Sequence, residues 1–177
     1  MEAQNNERQV MCCHYQADIS YPKQKQFNCG DPVINKYVQD SLKKNVREGN
    51  CAAKALIDSE SGELLGICTY TAYSLTKGRL SSALAGSLPN DIGVVRLVML
   101  GVVESEQKKG YGLDLLYAFF QQVKVIHHAL PIKGIYLDAA PAAVGFYARL
   151  GFTELDEPAN AFGAVPMFLG IQHILAA

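Results

Sequence analysis

The order of apolar runs predicts an α/β (α+β) fold, one domain in which helices flank a mixed central sheet. Three observations carry this. Two segments, VINKYVQDSLKKNV and LDLLYAFFQQVKVI, keep helical spacing of their apolar residues. Between and after them lie β-branched or apolar runs of strand length, bounded by turn residues. Strands and helices do not alternate in the repeated βαβ rhythm of a doubly wound domain, so the sheet should be mixed.

Residues 1–11 read as a loose lead-in to a single domain over 1–177. The first helix should open at Asp31 as cap, with Pro32 in its first turn, and run to near Gly49. Its apolar positions are Val33, Tyr37, Ser41 and Val46. CAAKALID and ELLGICTYTAYSL then form a hairpin across the turn DSESG. KGRLSSALAGSLPND is irregular, and VVRLVMLGVV is a strand buried on both faces. After EQKKGYG, the residues Leu113, Leu116, Tyr117, Phe120, Val123 and Ile126 trace a helix of about five turns. GIYLDA is a short buried strand, PAAVGFYARL a short helix ended by Gly151, and GFTEL and MFLGIQHIL a closing pair of antiparallel strands.

Length and composition narrow the function. At 177 residues and 49% hydrophobic, the chain suits one domain with an ample core. Sixteen basic against 17 acidic residues leave a net charge of −1, so the molecule as a whole is no polyanion binder. Any basic surface must be local. No apolar run is long enough for a membrane span and MEAQNNERQV is polar, which predicts a soluble, cytoplasmic protein with no membrane partner. The five cysteines (Cys12, Cys13, Cys29, Cys51, Cys68) are scattered and lack CxxC spacing, so they read as reduced structural thiols, and no metal site is expected.

The stretch EQKKGYG, Glu106 to Gly112, sits between a strand and a long helix. A glycine-bearing turn at a helix start offers N–H groups without intrahelical partners, a favourable dipole and close approach, which suits a phosphate. Spacing alone leaves an ordinary capped turn equally open. Neither GxGxxG nor GxxxxGK[ST] is present.

QKKGYG resembles the [Gln/Arg]-x-x-Gly-x-[Gly/Ala] signature of the GNAT N-acetyltransferases. YLDAAPAAVGFYARLGF resembles the same family's later strand, tyrosine-bearing helix and closing Gly-Phe strand. The resemblance runs from about residue 52 to the C-terminus and implies a sheet splayed apart beside the strand before the signature. It implies acetyl-CoA as cofactor, its pyrophosphate cradled by Gln107, Lys108, Lys109, Gly110, Tyr111 and Gly112. It also implies that the backbone of Leu100, Val102 and Val103 meets the pantetheine arm and polarises the thioester carbonyl. Tyr147 matches the family tyrosine that serves as general acid toward the departing thiolate. Ala140 departs from the pattern, since many members carry a cofactor-binding asparagine there. No acid or histidine matches a general base; Glu104 and Asp138 are acids near the strand ends that read more simply as loop charges, and His127-His128 read as a helix C-terminal charge site.

The segment QFNCGDPVINKYVQDSLKKN and the phrase GFYARLGF resemble the acetyltransferase toxins of bacterial toxin–antitoxin pairs. That implies the α-amine of aminoacyl-tRNA as acceptor, a ribbon-helix-helix antitoxin as partner, and a homodimer. Local charge agrees with a tRNA contact: Tyr21–Lys54 holds seven basic residues against three acidic, among them Lys36, Lys43, Lys44 and Arg47. A merely solvated basic helix would look the same. Three readings therefore compete: a tRNA-directed toxin, an acetyltransferase for a small-molecule or protein amine, and a non-catalytic acetyl-CoA-binding module.

Overall fold

The computed structural model describes residues 8–177. Its strands are β1 (Val10–His14), β2 (Ala52–Asp58), β3 (Leu64–Thr76), β4 (Asp91–Val102), β5 (Gly134–Ala139), β6 (Thr153–Glu154) and β7 (Val165–Gly170). The helices are α1 (Pro32–Asp40), α2 (Leu42–Arg47), α3 (Lys77–Leu80), α4 (Tyr111–Ala129), α5 (Val144–Arg149) and α6 (Ile171–Ala176). The strands hydrogen-bond in the order β1-β2-β3-β4-β5-β7-β6, a seven-stranded mixed sheet. The pairing of β4 with β5 is parallel, while β1–β2, β5–β7 and β6–β7 are antiparallel. The β4–β5 register covers Val95↔Ile135 and Arg96↔Tyr136, a short seam for strands of 12 and 6 residues. The chain divides into two compact units, one up to Thr69 with Met99–Phe119, the other Tyr70–Val98 with Phe120–Ala177; β3, β4 and α4 run through both.

In the first unit α1, α2, β1, β2 and the first half of β3 enclose Tyr15, Tyr21, Phe27, Val38, Leu42, Ala53, Ala55, Leu64 and Ile67. Burying Phe27 alone removes a large apolar side chain from water, worth about 2–3 kcal/mol. Tyr15 and Tyr21 stack with centroids 4.8 Å apart. Lys54 is buried, which requires a partner: its Nζ lies 3.0 Å from His14 Nε2, across the register pair His14↔Lys54. Burial lowers the pKa of both groups.

Asp31 caps α1 as expected, its carboxylate accepting from the Val33 and Ile34 N–H groups. The single helix to Gly49 is in fact two, divided at Ser41, whose φ and ψ of −118° and −30° open one turn. The buried face is only partly the expected one: Tyr37 and Val46 pack against the core as expected. Val38 and Leu42 are buried, with Ile34 half-buried in line, whereas Val33, held out at the capped N-terminus, is 71% exposed. Residues 1–7 lie outside the described residues, but Val10 and Met11 pair with Asp58 and Ile57 in β1, and Arg8 meets three carboxylates.

The second unit packs Leu75, Leu80, Ile92, Val94, Tyr136, Leu155 and Phe168 into its own core. β5 spans GIYLDA as expected, and β6 and β7 are antiparallel through Thr153↔Phe168. The end of MFLGIQHIL is not strand. After Gly170 the Ile171 N–H donates to the Lys133 carbonyl and α6 begins, burying Ile171 and Ile174 one turn apart. Gly151 ends α5 in the left-handed region at φ +95°, where a Cβ would lie 2.5 Å from His173 Nε2.

Candidate active site

In the first unit, β4 ends at Val102 and a short 3-10 turn, Glu104–Glu106, leads to the exposed loop Gln107–Gly110 and the start of α4. The turn is anchored from several sides. Val103 N–H donates to Leu65 O at 2.8 Å and Glu104 N–H to Asn28 O at 2.9 Å. The Gln107 amide Nε2 donates to both Cys29 O and Val102 O, each at 2.8 Å. Gln107 therefore contributes a side chain to the architecture of the loop. The Val103 N–H, given to Leu65, is already engaged, while Leu100 and Val103 are half-buried and Val102 is buried.

Lys108 and Gly110 both have positive φ, +64° and +86°. Left-handed residues of this kind build the concave N–H arrays that bind anions. At the start of α4 the first N–H groups to close on a helix carbonyl are those of Leu113 and Asp114, both on Gly110 O. The groups before them lie beyond the intrahelical ladder, at the positive end of a 19-residue helix. A Cβ built on Gly110 or Gly112 meets nothing within 4 Å, so the surface over the loop is open. An open, glycine-floored helix start fits a pyrophosphate. Of the two lysines, Lys109 turns to Glu106, Nζ to Oε2 at 2.8 Å. Glu106 is buried, and Lys109 and then Arg8 hold its carboxyl below the usual range against the opposing effect of burial.

The second unit carries the tyrosine. β5 leads through Ala140 and the 3-10 turn Pro141–Ala143 into α5, where Tyr147 is half-buried. Its ring lies edge-on to Phe152 at 5.4 Å and to Phe146 at 5.2 Å. Its carbonyl accepts from the Leu150 and Phe152 N–H groups, so both backbone and ring are set by the helix end.

The two acids near the strand ends have partners. Glu104 accepts from Asn28 Nδ2 at 3.1 Å. Asp138 accepts from Arg96 at 3.0 Å and from the Tyr136 hydroxyl at 2.8 Å. The Tyr136 oxygen in turn accepts from Arg79, which pairs with Glu157, while Tyr73 stacks on the Tyr136 ring. Burial, then the bond to Asp138, push the Tyr136 pKa up. This network over β3, β4 and β5 was not readable from the sequence, because its ion pairs, Arg96–Asp138 and Arg79–Glu157, span 42 and 78 residues. Tyr136 and Asp138 at alternate positions of a short strand were its one signal.

Of the four cations singled out in the first helix, Lys43, Lys44 and Arg47 line one cavity of about 470 Å³, which Lys23 and Lys25 join. Lys36 is exposed on α1 and is not among its lining residues. The 3-10 turn Gln24–Gln26 forms the facing wall, and Asp40 is the one acid. Lys25 donates to Gln39 O, Lys43 to Ile19 O and Arg47 to Ala17 O, which holds the cations along the rim.

The signature loop opens α4 and the tyrosine lies on α5, after β5. The chain belongs to the GNAT acetyltransferase domain family, whose model matches residues 36–169. It is an N-acetyltransferase with acetyl-CoA as acyl donor. Among solved structures, it is 67% identical to one described as a bacterial toxin, with a TM-score of 0.93 over 96% of this chain and 94% of that one. It shares its fold with a tyrosine-to-phenylalanine variant of the toxin AtaT bound to the antitoxin AtaR C-terminus and acetyl-CoA: 21% identity, TM-score 0.77, 94% and 96% of the two chains. The same fold is found in AtaT complexed with acetyl-methionyl-tRNAfMet: 22% identity, TM-score 0.81, 95% and 98%. Among the described residues no helix is long and apolar enough to cross a membrane.

Proposed function

We propose that the protein is a toxin that acetylates the α-amine of an aminoacyl-tRNA and so stops translation. The observation that carries this is the basic cavity between α2 and the Gln24–Gln26 turn, where five cations meet one acid in a chain of net charge −1. Local positive charge against an overall acidic balance suits contact with a phosphate backbone. The 67% identity to a bacterial toxin supports the biological role.

Acetyl-CoA supplies the acetyl group as a thioester, whose carbon takes the acceptor amine as the C–S bond breaks. The N–H groups from Lys108 to Gly112 hold the pyrophosphate, with Gln107 fixing the loop and Lys108 adding charge. The main chain of Leu100 and Val102 orients the pantetheine arm. Tyr147 Oη gives its proton to the departing sulfur. Asp138 and Glu104 are tied to their own partners, which supports amine deprotonation by water; an α-amine beside an ester, with its lowered pKa, needs little more. Lys43, Lys44 and Arg47, with Lys23 and Lys25, take the tRNA backbone, and Lys36 extends that face. A ribbon-helix-helix antitoxin and self-association into a dimer belong to the same reading.

The test is cell-free translation with the intact chain and labelled acetyl-CoA. Synthesis should stop and label should appear on charged tRNA. Unimpaired synthesis with unlabelled tRNA would overturn the reading in favour of a small-molecule or protein amine.

A further inference from the structure

Arg8, just before β1, uses three nitrogens on three carboxylates: Nε on Asp58 at 2.5 Å, Nη2 on Glu63 at 2.7 Å and Nη1 on Glu106 at 2.8 Å. The three acids are well covered, with side chains 10%, 14% and 8% exposed. Asp58 ends β2, Glu63 precedes β3, and Glu106 closes the turn from which the loop Gln107–Gly110 departs. A second backbone tie, Ser59 N–H to Gln9 O at 2.8 Å, holds the same N-terminal segment to the hairpin. The planar guanidinium is suited to such a multiple contact, which a lysine ammonium cannot reproduce.

The position of Glu106 gives the arrangement its meaning. A buried carboxylate three residues before Lys109, at the base of an anion-binding loop, would repel a pyrophosphate unless neutralised. Arg8 and Lys109 neutralise it together. Without Arg8, Lys109 alone faces the buried charge, and the side-chain tie between the loop and the β2–β3 hairpin is lost.

We propose that Arg8 is a positioning residue for the acetyl-CoA loop: it neutralises Glu106 and fixes the loop to the hairpin, so the segment before β1 sets cofactor affinity. This rests on the pyrophosphate reading of residues 108–112. It also gives the N-terminal segment a function that lies outside the family match at 36–169.

The test uses the full chain and CoA alone as ligand, by titration calorimetry at low and moderate salt, beside acetylation kinetics and thermal unfolding. Arg8→Met should weaken CoA binding about tenfold, the scale of one lost charged hydrogen bond. KM for acetyl-CoA should rise in step, with kcat at saturation held within about twofold. Removing the charge beside the loop as well, in Arg8→Met with Glu106→Gln, should recover most of the affinity, and Arg8→Lys should fall between. If Arg8→Met unfolds the chain, Arg8→Lys carries the measurement. Unchanged affinity in the Arg8 variants, with Gly112→Ala weakened, would overturn the proposal while leaving the pyrophosphate reading standing. Unchanged affinity in both would overturn that reading itself. Loss in Arg8→Met without recovery in the double variant would overturn the charge argument.

Discussion

Asp138 accepts a 3.0 Å hydrogen bond from Arg96, whose guanidinium also lies 5.2 Å from the centre of the Tyr73 ring. A carboxylate held in this way ties β4 to β5 where their shared register is only two positions long. Asp138→Asn should therefore act on stability, lowering it by about 1–2 kcal/mol for a partly exposed charged pair. The pH profile of acetylation should keep its shape. Chemical unfolding beside a pH–rate profile checks both, and loss of the profile's acidic limb at full stability would make Asp138 the base.

Tyr147→Phe keeps the ring contacts to Phe146 and Phe152 and removes one proton donor. Turnover should fall by about 10²–10⁴, while CoA affinity stays within error of the parent. Undiminished turnover would remove Tyr147 from the chemistry.

Gly112 is the second residue of α4, with open space where a Cβ would point. Alanine there should leave the fold intact and raise stability by up to about 1 kcal/mol, because it favours helix. The methyl group would nevertheless stand in the proposed pyrophosphate position. Calorimetry should show weakened CoA binding in a protein that melts no lower than the parent.

Gly151→Ala strains the chain twice. The left-handed conformation at φ +95° disfavours any side chain, by about 1–2 kcal/mol, and the new methyl meets His173. The double variant with His173→Ala should recover the steric part and leave the backbone part. Equal loss in the single and double variants would show that the collision is relieved by other means.

Stability should also depend on acid. The Ser61 N–H, then Arg8, hold the Asp58 carboxyl down at about 2 against an ordinary 3.8. A carboxyl with a depressed folded-state pKa adds stability that is full above its ordinary value and is lost as pH falls toward the folded value. Thermal midpoints should thus drop between about pH 4 and pH 2. Arg8→Met should make that drop shallower.

Legibility in the sequence followed the range of the interaction. Asp31 as cap, GIYLDA as a strand and the long helix after Gly110 depend on neighbours within a few residues, and all were readable. So was the signature loop, whose glycines are a local requirement. β1 escaped because VMCCH takes its meaning from β2, 40 or more residues away. α6 escaped because IQHIL is apolar enough for a strand and becomes a helix only where Lys133 receives Ile171. The helix spacing identified α1 and put Tyr37 and Val46 against the core, but it missed Val38 and Leu42 and counted Val33, which sits exposed at the cap. Arg8 stood in what read as a lead-in; a lone arginine in a polar stretch carries no sign of three distant carboxylates.

The Gln107 amide bears on what the family signature encodes. Its two N–H bonds fill two carbonyls, Cys29 and Val102, that a carboxylate would repel and a lysine would reach from a single point. Glutamine and arginine, the two choices at the first signature position, share a planar head with more than one N–H vector. In this chain the first letter of that signature serves as joinery: its donor geometry splices the backbone at Cys29 to the end of β4 at Val102.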